Sequence, residues 1–122
     1  MYRISVEDHF DAAHYLRDYG GRCENLHGHR FKVVASITTD RLDSTGLAYD
    51  FTKMKKHLKE VLSSFDHVCL NEVPPFDRVN PSSENIAVTI FDRLKERLPE
   101  GVRLASVEVW ESPQTWVTYT PD

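Results

Sequence analysis

The chain is poor in the features that mark membrane proteins, secreted disulfide scaffolds and nucleic-acid binders. No apolar run in its 122 residues approaches the roughly 20 that a spanning helix needs. The opening stretch MYRISVEDHF has no basic segment followed by an apolar one, so no secretory leader is expected and the cytoplasm is the expected compartment. Cysteine is scarce. Cys23 and Cys69 are the only two, and without a secretory context free thiols are expected rather than a bridge. Basic residues are outnumbered, 15 to 19, for a net charge of −4, and only KMKKHLK at 53–59 is dense. That pattern gives no electrostatic footprint for nucleic acid, while a local positive group could still meet an anionic small molecule. The length and the 40% hydrophobic content suit one domain, 1–122, with a small core.

What is present alternates between two periodicities. Tyr2, Ile4, Val6 and Phe10 alternate as a strand that DAAH, 11–14, continues or ends. The stretch 15–28 holds three glycines and reads as loop, and His29, Phe31, Val33, Ala35 and Ile37 then alternate as a second strand. A connection and a short extended piece, Leu47 to Tyr49, lead to Asp50, a candidate N-cap. Beyond it Phe51, Met54, Leu58, Val61, Leu62 and Phe65 recur at helical spacing. A proline-bearing irregular segment, 66–82, precedes a second helix capped by Ser82 or Ser83, with the stripe Ile86, Ala87, Ile90, Phe91, Leu94 and Leu98 and a stop at PEG, 99–101. Residues 102–110 alternate again with a phase change near Ala105, and TWVTYT, 115–120, closes a hairpin with them. This order predicts an α+β fold: a four-stranded antiparallel sheet with two helices on one face. The other face, with Arg3, Lys32, Ser36, Arg103, Ser106 and Thr118, is mixed in character, and the open sheet edges favour association.

The chemistry gathers in CENLHGH, 23–29. His27 and His29 are two apart, so on a strand they point to one side, and imidazole is the commonest metal ligand. A third ligand is needed from His9, His14, His57 or His67. His57, in the basic helical run, is expected to be exposed. His14, near the end of the first strand, meets the pair if the first two strands are neighbours. Three histidines and an open position describe a catalytic zinc site, and a fourth ligand describes a structural one. Cys23 fits either scheme, as that fourth ligand or as a thiol acting in proton transfer beside the ion. Asp66–His67 pairs a carboxylate with an imidazole it could orient, Glu111 could accept two hydrogen bonds from an amino-pyrimidinone edge, and Cys69 is expected to be a small buried hydrophobe.

The ordered set FDAAH (10–14), CENLHGH (23–29), YDF (49–51), FDHVCLN (65–71), NPSSEN (80–85) and WESP (110–113) resembles the 6-pyruvoyltetrahydropterin synthase superfamily, most closely its bacterial 6-carboxytetrahydropterin synthase branch in the queuosine pathway. The resemblance implies the tunnelling fold, in which sheets of several subunits join into a barrel, with a homohexamer of two stacked trimers and active sites at interfaces. It implies Zn2+ on His14, His27 and His29, Cys23 as a catalytic thiol, Asp66 and His67 as a proton-transfer pair, and Glu111 as the pterin anchor. The short CxxxHGH spacing is similar to that of the carboxy-forming branch, and Ser82 stands where threonine is more usual. The implied reaction takes 7,8-dihydroneopterin triphosphate to 6-carboxy-5,6,7,8-tetrahydropterin, releasing acetaldehyde and triphosphate. Lys32, Arg17, Arg22 and Arg30 are candidates for the triphosphate. The alternatives are the pyruvoyl-forming reaction and a non-catalytic zinc protein. Neither a nucleic-acid nor a membrane partner is expected.

Overall fold

The computed structural model describes residues 1–21 and 25–122. The expectations for Cys23 and Arg22 lie outside the described residues. Two long strands, β1 (Tyr2–His14) and β2 (His27–Thr39), pair antiparallel along their full length, from Tyr2↔Thr39 to His14↔His27. Helix α1 (Phe51–Leu62) follows, then a two-residue strand β3 (Val68–Cys69), a 3-10 turn (Leu70–Glu72) and helix α2 (Ser83–Lys95). Strands β4 (Arg103–Ser112) and β5 (Thr115–Tyr119) form the closing hairpin. The sheet order is β3-β1-β2-β4-β5.

The α+β architecture with both helices packed on one face is as expected, and the strand count differs. Among the described residues the sheet has five strands, and β3 runs parallel to β1 through Ala12↔Val68 and Ala13↔Cys69. Two residues of pairing leave no periodicity to detect in a sequence. The extended piece expected at Leu47–Tyr49 is also absent. There the Asp43 carboxylate accepts from the backbone N–H groups of Thr45 (2.8 Å) and Leu47 (3.0 Å), folding the segment into a turn.

Strand alternation sorts the sheet into two faces. Val6, Phe10, Phe31, Val33, Ala35, Ile37, Val107 and Val109 are buried against Met54, Leu58, Ile86, Ile90 and Leu94 of the helices. Phe51, expected in the helical stripe, instead lies at the first turn of α1, half exposed. His57, expected outside, is half-buried with its Nε2 3.1 Å from the Tyr49 hydroxyl. Both caps form: the Asp50 carboxylate accepts from Thr52 N–H and the Ser82 hydroxyl from Asn85 N–H. Ser82→Ala leaves that N–H unsatisfied and is expected to cost about 1 kcal/mol, seen as a melting temperature lower by roughly 3–5 °C.

Strand β4 carries two irregularities. Against β2 the register passes from Ser36↔Ser106 to Ile37↔Leu104, so Ala105 is the extra residue at the expected phase change. Against β5 it passes from Trp110↔Trp116 to Ser112↔Thr115, so Glu111 is extra there. Bulges bend a strand and re-aim the residue they carry.

Candidate metal and proton-transfer site

His14 and His27 are directly paired across β1 and β2, and His29 lies two residues along on the same face. The three rings pack edge to face, with centroids 4.5 Å (His14–His27), 4.8 Å (His27–His29) and 5.4 Å (His14–His29) apart. Glu111 arrives from the β4 bulge, 97 residues from His14 in sequence. Its Oε1 stands 3.2, 4.0 and 3.1 Å from the Nε2 atoms of His14, His27 and His29.

The outer nitrogens explain why the Nε2 atoms converge. His14 Nδ1–H donates to the Pro81 carbonyl at 2.8 Å, and His27 Nδ1–H to the Asn25 carbonyl at 2.6 Å. A carbonyl only accepts, so the proton is fixed on Nδ1 and Nε2 is turned to the centre, the arrangement typical of metal-ligating histidines. A hydrogen bond from His14, which Nε2 can donate only while the ring carries both protons, holds the Glu111 carboxyl below its usual range, against the opposing effect of burial. Burial pushes His29 down, against the attraction of Glu111. The first direction favours a carboxylate and the second a neutral imidazole at His29, a donor set suited to a divalent cation. Ligands around a tetrahedral zinc at about 2.0–2.1 Å stand about 3.3 Å apart, and the spacings about Glu111 bracket that value. The four residues form a group able to hold a metal ion.

Asp66 and His67 belong to a second group, with Asp11. Asp66 Oδ1 accepts from Asp11 N–H at 2.9 Å and lies 3.0 Å from His67 Nδ1. The bond from the Asp11 backbone is the largest cause holding the Asp66 carboxyl below its usual range. His67 N–H donates to the Asp11 carbonyl at 2.6 Å, and this bond braces His67 in the left-handed region at φ 59°. That conformation is uncommon for a residue other than glycine and gathers at functional sites. The two groups do not merge, yet His29 from one and His67 from the other both border a cavity of about 570 Å³. Cys69, expected to be buried, is half-buried on β3 and borders the same cavity.

The candidate cations separate in the structure. The Arg17 guanidinium donates to the carbonyls of Asn71, Phe76 and Val79, and Arg30 makes a two-bond pair with Asp11 at 2.9 and 3.1 Å. Lys32 has no carboxylate partner among the described residues. Its Nζ stands 4.0 Å over the Trp110 ring, beside a cavity of about 490 Å³ that Glu111 also lines. Reading the sequence missed the Pro81 carbonyl, which meets His14, and Asn71 and Asn80, which meet the backbone of Tyr15 and Arg17 just beyond it. The signal available for them was their place in FDHVCLN and NPSSEN, which carried no chemistry by itself.

Comparison with known proteins agrees with this architecture. The family pattern described as 6-pyruvoyl tetrahydropterin synthase matches residues 3–122. A protein of Synechocystis named 6-carboxy-5,6,7,8-tetrahydropterin synthase is 38% identical over 92% of this chain and 88% of its own. The human 6-pyruvoyl tetrahydrobiopterin synthase is 37% identical over 81% of this chain and 70% of its own. The solved structure of the Caenorhabditis elegans 6-pyruvoyl tetrahydropterin synthase superposes with a TM-score of 0.89 at 28% identity, covering 99% of this chain and 96% of that one. With the pattern matched almost end to end and such relatives aligned over most of their length, the chain belongs to the 6-pyruvoyl tetrahydropterin synthase family of enzymes.

Proposed function

We propose that the chain converts 7,8-dihydroneopterin triphosphate to 6-carboxy-5,6,7,8-tetrahydropterin, with release of acetaldehyde and triphosphate, in the cytoplasm and toward queuosine. The observation that carries the proposal is the convergence of His14, His27 and His29 on one centre beside Glu111. His29 and His67 both line an open groove of about 570 Å³. The Synechocystis relative's name favours the carboxy product.

In this reading His14, His27 and His29 hold a zinc ion, which when bound supplies a Lewis acid for the oxygens of the substrate side chain. His67, its Nδ1–H directed to Asp66, presents Nε2 as the proton acceptor, and the carboxylate steadies the imidazolium that forms. Cys23 is the acid or base on the other side. Glu111 is the ring's carboxylate partner: Oε1 faces the histidines, and Oε2 makes no hydrogen bond among the described residues. Lys32 receives the triphosphate, since Arg17 and Arg30 are already engaged. A homohexamer of two stacked trimers, with sites at its interfaces, extends the sheet at its edges and covers the mixed outer face.

Purified protein supplied with zinc and dihydroneopterin triphosphate is expected to release acetaldehyde stoichiometrically with product. His67→Ala is expected to slow turnover by about 10²–10⁴-fold with zinc content unchanged. A pyruvoyl product without acetaldehyde would establish the alternative that the human and nematode relatives' names favour. A non-catalytic zinc protein, with Glu111 or Cys23 closing the coordination, predicts no turnover and loss of zinc in the corresponding variant.

A further inference from the structure

We propose that Asn80, Asn71 and Arg17 are positioning residues that set the orientation of the His14 ring, and through it the metal affinity of the histidine group. The inference rests on the proposed metal role of His14, and its test separates the two.

β1 loses its last sheet partners at His14, which pairs with His27, and at Ala13, which pairs with Cys69. The chain beyond would be expected to fray, since its backbone groups have no strand to meet. Two side-chain amides take the place of that strand. Asn71 Oδ1 accepts from Tyr15 N–H and its Nδ2 donates to the Tyr15 carbonyl, both at 3.0 Å. Two residues on, Asn80 Oδ1 accepts from Arg17 N–H at 2.8 Å and its Nδ2 donates to the Arg17 carbonyl at 3.0 Å. Each carboxamide thus makes the two bonds that an opposing strand residue would make. Arg17 returns the tie: its guanidinium donates to the carbonyls of Asn71 (3.3 Å), Phe76 (2.8 Å) and Val79 (3.4 Å), fastening the loop that carries both asparagines.

The consequence falls on the next residue. Pro81 follows Asn80, and its carbonyl receives the His14 Nδ1–H. Asn80 is itself held to α2, because Asn85 Nδ2 donates to its carbonyl at 2.9 Å while Asn85 N–H meets the Ser82 cap. The Pro81 carbonyl is therefore fixed from both sides, and as the acceptor of Nδ1–H it directs Nε2 of the His14 ring, 2% exposed, toward the centre. Second partners of this kind are worth about 10–100-fold in metal affinity.

The test compares wild type, Asn80→Ala and a control, Val61→Ala in the α1 core, at a temperature where all are folded. Zinc affinity is measured by chelator competition. Cobalt(II) absorption and the ring ¹⁵N signals of His14 in metal-free protein are recorded alongside. Asn80→Ala is expected to raise the zinc dissociation constant by about 10–100-fold, to alter the cobalt spectrum and to speed exchange of the His14 Nδ1 proton, while Val61→Ala moves none of these despite a comparable loss in melting temperature. Unchanged His14 signals in Asn80→Ala, or equal effects in the control, overturn the proposal. Wild type that binds no zinc overturns the metal reading, and the ¹⁵N signals still decide the clamp. If Asn80→Ala does not fold, Arg17→Lys, which removes the guanidinium fork and keeps both carboxamides, carries the same expected changes.

Discussion

His29→Ala is expected to abolish the rise in melting temperature that zinc produces in the wild-type protein. His29 Nε2 is the nitrogen closest to Glu111, at 3.1 Å, and its side chain is 28% exposed, so truncation opens no deep void. The metal-free variant is expected to melt within a few degrees of metal-free wild type. The loaded proteins differ. A ligand at 100 times its dissociation constant stabilises the fold by about 2.7 kcal/mol, or roughly 8–13 °C for a chain of this size. Loss of a direct ligand exceeds the roughly 10–100-fold effect of a supporting partner, so at the same zinc concentration little of that stabilisation survives. Calorimetry with and without chelator checks this, and a full zinc-induced shift in His29→Ala would exclude His29 as a ligand.

Phe31→Ala is expected to produce the largest loss of stability, about 3–5 kcal/mol, or a melting temperature lower by roughly 10–20 °C. Phe31 has no exposed surface and stacks on Phe10 with centroids 4.9 Å apart. It is also the floor of the histidine group: its ring meets those of His14 and His29 edge to face at 5.2 and 5.6 Å. The variant removes both the core anchor and the surface that keeps two imidazoles upright, so zinc affinity is expected to fall with stability. Chemical denaturation and chelator competition on the same preparation measure the two together. Unaltered affinity in a destabilised variant would show that the histidines are oriented by their hydrogen bonds alone.

These effects were legible in the sequence to different degrees. The spacing of Met54, Leu58, Val61 and Leu62 predicts α1, and the alternation from His29 to Ile37 predicts β2, because each element buries one face at its own period. His27 and His29 could be placed on one side of a strand for the same reason. Ala105 was visible as a break in phase. The approach of Glu111 was not, since the contact joins residues 97 apart and depends on the sheet order. Nor were the two asparagines, whose role is to replace a strand and so follows no strand pattern. β3 is too short to carry a period, and its Val68 and Cys69 are ordered by β1 rather than by their own alternation. Arg30 looked available as a cation and is consumed by Asp11, its direct cross-strand neighbour, a pairing that only the β1–β2 register reveals.

The irregular pairing of β4 acts like a reading frame. Leu104 faces the core on one side of Ala105, and Val107, Val109 and Glu111 face it on the other. Loss of Ala105 leaves both halves in frame, since Leu104, Ser106 and Val107 then alternate without a break. One residue inserted between Val109 and Trp110 does not. Either the valines keep the core and Glu111 crosses to the outer face, or Glu111 keeps the histidines and the valines turn out. The length of this short stretch is therefore as fixed as the identity of its acid, whereas the turn at Pro113 and Gln114 can change length without altering the frame.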